Sequence, residues 1–193
     1  MSDSPVQARK HALRAASRAA RPLDRSRAGR DAVERLLGLP ELGECQTVSL
    51  YAALEDEVPV EAAIPELRAR GLQTVFPRVV GTDLFLFEVE DLDGLEIGYG
   101  GIREPMTGLP EIGPERVDLF FVPGMLFDRR GRRLGRGRGH FDRLLATARR
   151  DALLVGLSYA DRVVENLPAE SFDVLMHAVV TEREVIRHAS DGD

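Results

Sequence analysis

A mainly parallel α/β sheet covered on both faces is the fold class this sequence predicts, and three observations predict it. Apolar runs of strand length punctuate the chain at Thr47 to Tyr51, Gln73 to Phe76, Leu84 to Val89, Val117 to Pro123, Ala152 to Ser158 and Ala178 to Ile186. Helical stripes fall between several of these runs, and strands alternating with helices select parallel pairing. The stretch Val117 to Arg150 then reads as strand, glycine-rich loop and helix in immediate succession. No repeat, low-complexity tract or linker separates the elements, so one domain over residues 1–193 is expected, with a disordered tail from about residue 188.

Composition narrows the function. At 193 residues, 44% hydrophobic and 30% charged, the chain matches an ordinary soluble globular domain. A net charge of −6 argues against a nucleic-acid binder, which needs a basic excess to neutralise phosphates. No apolar run approaches a bilayer span and the N-terminus lacks a secretory apolar segment, so a cytoplasmic protein with no membrane partner is expected; a monomer is the expected oligomeric state, with no sequence feature that fixes it. The single cysteine, Cys45, has no disulfide partner and no Cys or His cluster near it, and a buried apolar thiol is expected. Positive charge is concentrated at Arg129, Arg130, Arg132, Arg133, Arg136 and Arg138, which suits a small anionic ligand held locally.

Taken in order, Ser4, Pro5 and Gln7 form a helix start with an N-cap and a capping box, and the helix runs to about Ala20. Lys10 and Arg14, four apart, share one face of it, as ligand-binding cations or as solvated ones. A second helix spans Arg25 to Leu37, with Asp24 as its cap, Ala28, Ala32, Val33, Leu36 and Leu37 buried, and Gly38 and Pro40 ending it. Beyond the strand at Thr47, the acids Glu55, Asp56 and Glu57 lie where a parallel sheet places ligands, past the carboxyl ends of its strands. Val60, Ala63, Ile64 and Leu67 make a further helical stripe, which Pro65 should bend or delay.

In the central stretch, Gly135, Gly137 and Gly139 alternate with Arg136 and Arg138. Phe141, Leu144, Leu145 and Ala148 then follow at the spacing of an amphipathic helix. Peptide N–H groups at a helix start lack intrahelical partners, glycines admit close approach, and guanidinium groups offer paired donors to phosphate. A polyphosphate suits such a loop; a solvated surface turn is the alternative on these residues alone.

The flanks carry a longer pattern. Pro123 to Asp128, PGMLFD, followed by Gly131, Arg133, Leu134, Gly135, Gly137, Gly139, His140, Phe141, Asp142, Leu144 and Leu145, closely resembles the pattern of the 5-formyltetrahydrofolate cyclo-ligase family, also called 5,10-methenyltetrahydrofolate synthetase. Lys10, Leu13 and Arg14 resemble its K-x-x-L-R element, Pro77-Arg78-Val79 and Gly98 to Pro105 resemble two further elements, and Gly156 to Glu182 follows its tail. The resemblance implies a Rossmann-like three-layer α/β sandwich and an ATP- and Mg2+-dependent conversion of 5-formyltetrahydrofolate to 5,10-methenyltetrahydrofolate. It implies ATP contacts from Lys10, Arg14 and the run Arg133, Leu134, Gly135, Arg136, Gly137, Arg138, Gly139, His140, Phe141 and Asp142, with Arg136 and Arg138 catalytic. It further implies folate contacts from Glu57 and His140, and magnesium at Asp142.

The pattern breaks at four positions. His140 stands where the family has tyrosine, Arg162 where glutamine is usual, Phe172 where histidine precedes Asp173, and His177 where a magnesium-linked aspartate is usual. These departures leave a second reading, a nucleotide- or folate-binding member with altered or lost turnover.

Overall fold

Eight strands build the main sheet, in the order β13-β12-β10-β7-β1-β2-β3-β6. This computed structural model describes residues 4–19, 25–170 and 173–187; the proposed cap Asp24, the departure Phe172 and the tail from residue 188 lie outside them. In chain order the strands are β1 (Thr47–Ser49), β2 (Gln73–Val80), β3 (Asp83–Glu88), β4 (Leu95–Ile97), β5 (Arg103–Pro105), β6 (Glu111–Ile112), β7 (Leu119–Pro123), β8 (Leu126–Asp128), β9 (Arg133–Leu134), β10 (Leu153–Leu157), β11 (Val163–Val164), β12 (Ala178–Val180) and β13 (Val185–Arg187). The helices are α1 (Pro5–Ala19), α2 (Ser26–Leu37), α3 (Ile64–Ala69) and α4 (His140–Leu145).

The five central strands, β12, β10, β7, β1 and β2, are parallel, and antiparallel strands flank them on both sides. Their apolar runs are explained by burial on both faces. Leu119 and Phe121 of β7 enter one core with Val48, Val155 and residues of α2 and α3, while Phe120 and Val122 enter a second core with Leu154, Leu144 and Leu145. Helices therefore cover both faces, as the sequence predicts, although the second face receives only the six-residue α4. The expected helical stripe continues through Ala148, which packs on that core from outside the helix.

Local chemistry fixes several boundaries. Ser4 caps α1 through Gln7 N–H at 3.3 Å, but the Gln7 amide turns to Glu170 instead of closing a capping box. Pro65 delays α3 as expected: a 3-10 turn, Val60–Ala63, precedes it, and proline occupies its first turn. β2 runs past the expected Phe76 because Pro77 lies beyond the last residue paired with β1, where its missing N–H costs no ladder bond. The run Ala178 to Ile186 is two antiparallel strands, not one. Thr181 Oγ accepts from the N–H groups of Arg183 and Glu184, each at 3.1 Å, and this local turn at the polar residues Thr181 to Glu184 folds the segment back on itself.

Cys45 is half-buried rather than buried, and its Sγ donates to Glu41 O at 3.2 Å. Burial, with Asp118 nearby, pushes the thiol pKa up to about 11. The fully buried Phe127 fills a space left by two glycines: a Cβ on Gly156 would meet its Cε1 at 2.4 Å, and one on Gly124 its Cε2 at 2.7 Å.

From β1 the chain moves to β2 on one side, and from β7 it moves to β10 and β12 on the other. The neighbours β1 and β7 thus straddle the point where the winding reverses, and a crevice is expected beyond their carboxyl ends.

Candidate active site

A cleft of about 640 Å³ occupies that position, reached by Tyr51 and Glu57 after β1, Pro77 of β2, and Pro123 and Gly124 at the end of β7. Its size is that of a small-molecule site. Every residue expected at the site lines it, from Lys10, Arg14 and Glu57 to the whole run Arg133–Asp142. The turn after β4 adds Ile102, and β5 adds Glu104.

Helix α1 forms one wall and is held chiefly by polar contacts. Lys10, 5% exposed, donates to both oxygens of Asp173 at 2.9 and 2.7 Å and to Glu170 at 3.0 Å. Arg14 Nε donates to Gly135 O at 2.9 Å, tying the helix to the glycine loop. Arg162, at the position where glutamine is usual, donates to Ser17 O at 3.1 Å and Ser17 Oγ at 2.5 Å. Burial alone would lower the Lys10 pKa, but the hydrogen bonds and charges of Asp173 and Glu170 outweigh it and raise it, so Lys10 stays a cation. Glu170 is correspondingly held below its usual value by Lys10 and Gln7. No local pattern in the sequence marks Glu170 for this part.

The glycine loop hangs from a hairpin fixed by Asp128, a fully buried carboxylate that accepts from Arg130 N, Arg132 N and Leu167 N at 2.9 to 3.0 Å. Gly137 (φ +102°) and Gly139 (φ +66°) are left-handed, a conformation that a Cβ penalises. Because α4 has only six residues, it aligns few peptide dipoles, and the loop's positive character rests on its arginines and glycine amides. Arg133 is buried against Asp142 Oδ1 at 2.5 Å and donates to Pro123 O at 3.3 Å. Arg136 crosses the cleft to Asp56 at 2.5 Å and to Glu57 at 3.4 Å. The two sides expected to serve different ligands are therefore joined.

Glu57 is 9% exposed at its side chain and accepts from Leu54 N–H at 3.1 Å. Burial raises its pKa, opposed by the Leu54 N–H and Arg136. Between the ordinary and the raised value the folded chain holds a proton that the unfolded chain has lost, so this group's contribution to stability falls as pH rises through that window.

The two histidines separate. His140 lines the cleft, and burial followed by the Arg143 and Arg138 charges lowers its pKa, so it is neutral at pH 7 and changes charge below the usual histidine range. His177 does not line the cleft. It is exposed, precedes β12, and its Nδ1 accepts from Leu154 N–H at 2.9 Å. A residue entering a parallel strand sits at the sheet edge opposite to that where the carboxyl ends hold ligands, so His177 has no place in a metal site here.

Among the described residues no group of three His, Cys, Asp or Glu side chains could hold a metal alone. Magnesium needs less, taking one or two carboxylates with phosphate oxygens and water. Asp142 fits as one ligand, since Arg133 engages only its Oδ1 and the side chain is 44% exposed. Asp173 does not fit while both its oxygens accept from Lys10.

Comparison with known proteins matches this arrangement along nearly the whole chain. The 5-formyltetrahydrofolate cyclo-ligase family model matches residues 2–182. The 5-formyltetrahydrofolate cyclo-ligase of Haemophilus influenzae is 30% identical over 158 residues, 79% of this chain and 84% of that protein. That of Escherichia coli K12 is 29% identical over 179 residues, 90% of this chain and 98% of that protein. The NMR structure of Aquifex aeolicus 5,10-methenyltetrahydrofolate synthetase superposes with a TM-score of 0.82 at 30% identity, covering 98% of this chain and 96% of that one. The synthetase of Mycoplasma pneumoniae shares the fold, with a TM-score of 0.71 at 20% identity over 93% of this chain and 100% of that one. The family match takes in both rims of the cleft, α1 and the acid loop as well as the glycine loop, and on that ground the chain belongs to the 5-formyltetrahydrofolate cyclo-ligase family of ligases.

Proposed function

We propose that this ligase converts 5-formyltetrahydrofolate to 5,10-methenyltetrahydrofolate at the expense of ATP, with magnesium bound at Asp142. One observation carries the reading: a basic glycine loop and a desolvated carboxylate, Glu57, face each other across one cleft and are bridged by Arg136. The formyl group is amide-like, and its oxygen is a poor leaving group. Transfer of the γ-phosphoryl to that oxygen breaks the β–γ bridge and makes phosphate the leaving group. N10 then bonds to the formyl carbon and loses its proton as phosphate departs.

Such chemistry asks the protein for position and charge neutralisation. Lys10, Arg14, Arg136, Arg138 and the loop amides supply it on the phosphate side. Glu57 accepts from the N–H donors of the pterin ring, and neutral His140 borders the substrate. A bound magnesium ion would add charge neutralisation between phosphate oxygens. Binding without turnover is the second reading, favoured by the pairing of Asp173 with Lys10, which leaves Asp142 as the sole carboxylate assigned to metal. Absorbance of the methenyl product, followed with and without ATP and magnesium, separates the two; product formation only with both present is expected, and absence of product with intact binding supports the second.

Arg138→Ala is expected to weaken ATP binding alone, by about 1.5–3 kcal/mol for a charge-assisted phosphate bond. Arg136→Ala should weaken both ligands, because it also strips Glu57 of its cation. Separate calorimetric titrations with ATP and with folate check this, and an unchanged ATP affinity in both variants would remove the phosphate assignment.

Because the Glu57 pKa is raised, folate affinity should begin to fall, on acidification, at a higher pH than an ordinary glutamate would give. Glu57→Gln should bind folate weakly and lack that acid limb. A folate dissociation constant measured against pH in both proteins shows it; coincident acid limbs would exclude Glu57 as the titrating group.

A further inference from the structure

Glu57 sits in an irregular segment between β1 and the 3-10 turn at Val60, so its position depends on individual contacts. Within the loop, Glu57 N–H donates to Leu54 O at 2.9 Å and Leu54 N–H returns a bond to the carboxylate at 3.1 Å. Two buried tyrosines add bonds from outside it. Tyr51, 2% exposed, donates its hydroxyl to Val58 O at 3.1 Å. Tyr159, 4% exposed, donates to Glu57 O at 3.2 Å.

Tyr51 follows β1, whereas Tyr159 follows β10, with β7 between those strands in the sheet. Tyr159 therefore reaches across the winding reversal to hold the backbone of the one acid assigned to folate. It does not line the cleft. Its own place is fixed: Arg25 lies over its ring at 4.2 Å from the centroid and pairs with Asp161 at 2.6 Å. On α2, a Cβ at Gly29 would come within 3.3 Å of the Tyr159 hydroxyl, so the helix leaves that oxygen little room to move. Burial raises the phenol pKa more than Arg25 lowers it, which keeps the hydroxyl a donor.

We infer that Tyr159, with Tyr51 beside it, is a positioning residue that sets folate affinity by fixing the two successive peptide planes that follow Glu57. The inference rests on Glu57 being the folate carboxylate. A carboxylate selects its donors by direction, and a small misplacement of a binding group is costly in a preorganised site. Tyr159→Phe removes one oxygen and keeps the ring under Arg25. The Michaelis constant for 5-formyltetrahydrofolate should rise about three- to tenfold, the size of one neutral hydrogen bond, with little change in kcat.

The test is a double-mutant cycle on the folate dissociation constant, with Tyr159→Phe and Glu57→Gln singly and together, and ATP binding measured on each protein. The expected result is that Tyr159→Phe weakens folate but not ATP, and that its effect largely disappears in the Glu57→Gln background. An undiminished effect in that background, equal weakening of ATP, or no effect on folate overturns the inference. Should Glu57→Gln leave folate binding intact, the folate assignment of Glu57 falls and the inference falls with it. A folate loss on Glu57→Gln with none on Tyr159→Phe sinks the inference alone. Tyr51→Phe, which releases the adjacent carbonyl, gives the same cycle if Tyr159→Phe does not fold.

Discussion

Lys10→Ala is expected to weaken ATP binding about tenfold to a hundredfold, as loss of a charge-assisted phosphate contact should, and to loosen α1 as well. Lys10 is the buried cation between Asp173 and Glu170, so its removal leaves two carboxylates near each other without their counter-ion. ATP titration and thermal unfolding measure the two effects. The pH dependence supplies a further check. The Glu170 pKa is lowered by Lys10, so its contribution to stability is present above the ordinary carboxylate pKa and is lost as pH falls through the lower folded value. That acid-side loss should shrink in Lys10→Ala. ATP binding like that of the unsubstituted protein would show that Lys10 only fastens the helix.

Gly156→Ala should destabilise the fold by about 1–3 kcal/mol, the usual cost of overpacking a core, and toward the upper end of that range. The added methyl would lie 2.4 Å from Phe127 Cε1, and the ring cannot retreat because Gly124 is packed against its other edge. Phe127 is fully buried, and neighbouring Asp128 anchors the hairpin that carries the glycine loop. Thermal or urea unfolding gives the cost. Adding Phe127→Leu should recover part of it, and a double variant less stable than the sum of the singles would show that the clash lies elsewhere.

Much of the architecture was legible because its causes are local. Strands buried on both faces must be apolar throughout, as Leu119 to Val122 are, and Pro65 and Ser4 mark helix starts by what they cannot or can bond. The acid loop was readable as ligand-facing because it follows a strand at its carboxyl end, and the glycine loop because its glycines and arginines suit an anion. The split of Ala178 to Ile186 lies at the four polar residues Thr181 to Glu184, where the backbone N–H and the hydroxyl of Thr181 together close a turn between the flanking apolar residues. Ion pairs such as Lys10 with Asp173 and Arg136 with Asp56 join residues far apart in sequence, and nothing local announces them. Tyr159 belongs to the same class. His177 is different, since its place just before an apolar run already pointed to the edge of the sheet away from ligands.

The way α1 is fastened has a consequence for how the enzyme fails under stress. Only Lys10 and Ser17 of that helix are fully buried, and Leu13 alone joins it to the small core of Leu126, Leu134 and Leu167. A segment tethered by ions and hydrogen bonds, with little apolar area beneath it, belongs to the low-stability end of a protein and opens without the sheet. Each such opening carries Lys10 and Arg14 away from the cleft together. Release of the N-terminal helix is therefore expected to end catalytic competence at temperatures that leave the eight-stranded sheet intact, so that on heating activity should be lost before the cooperative unfolding of the sheet.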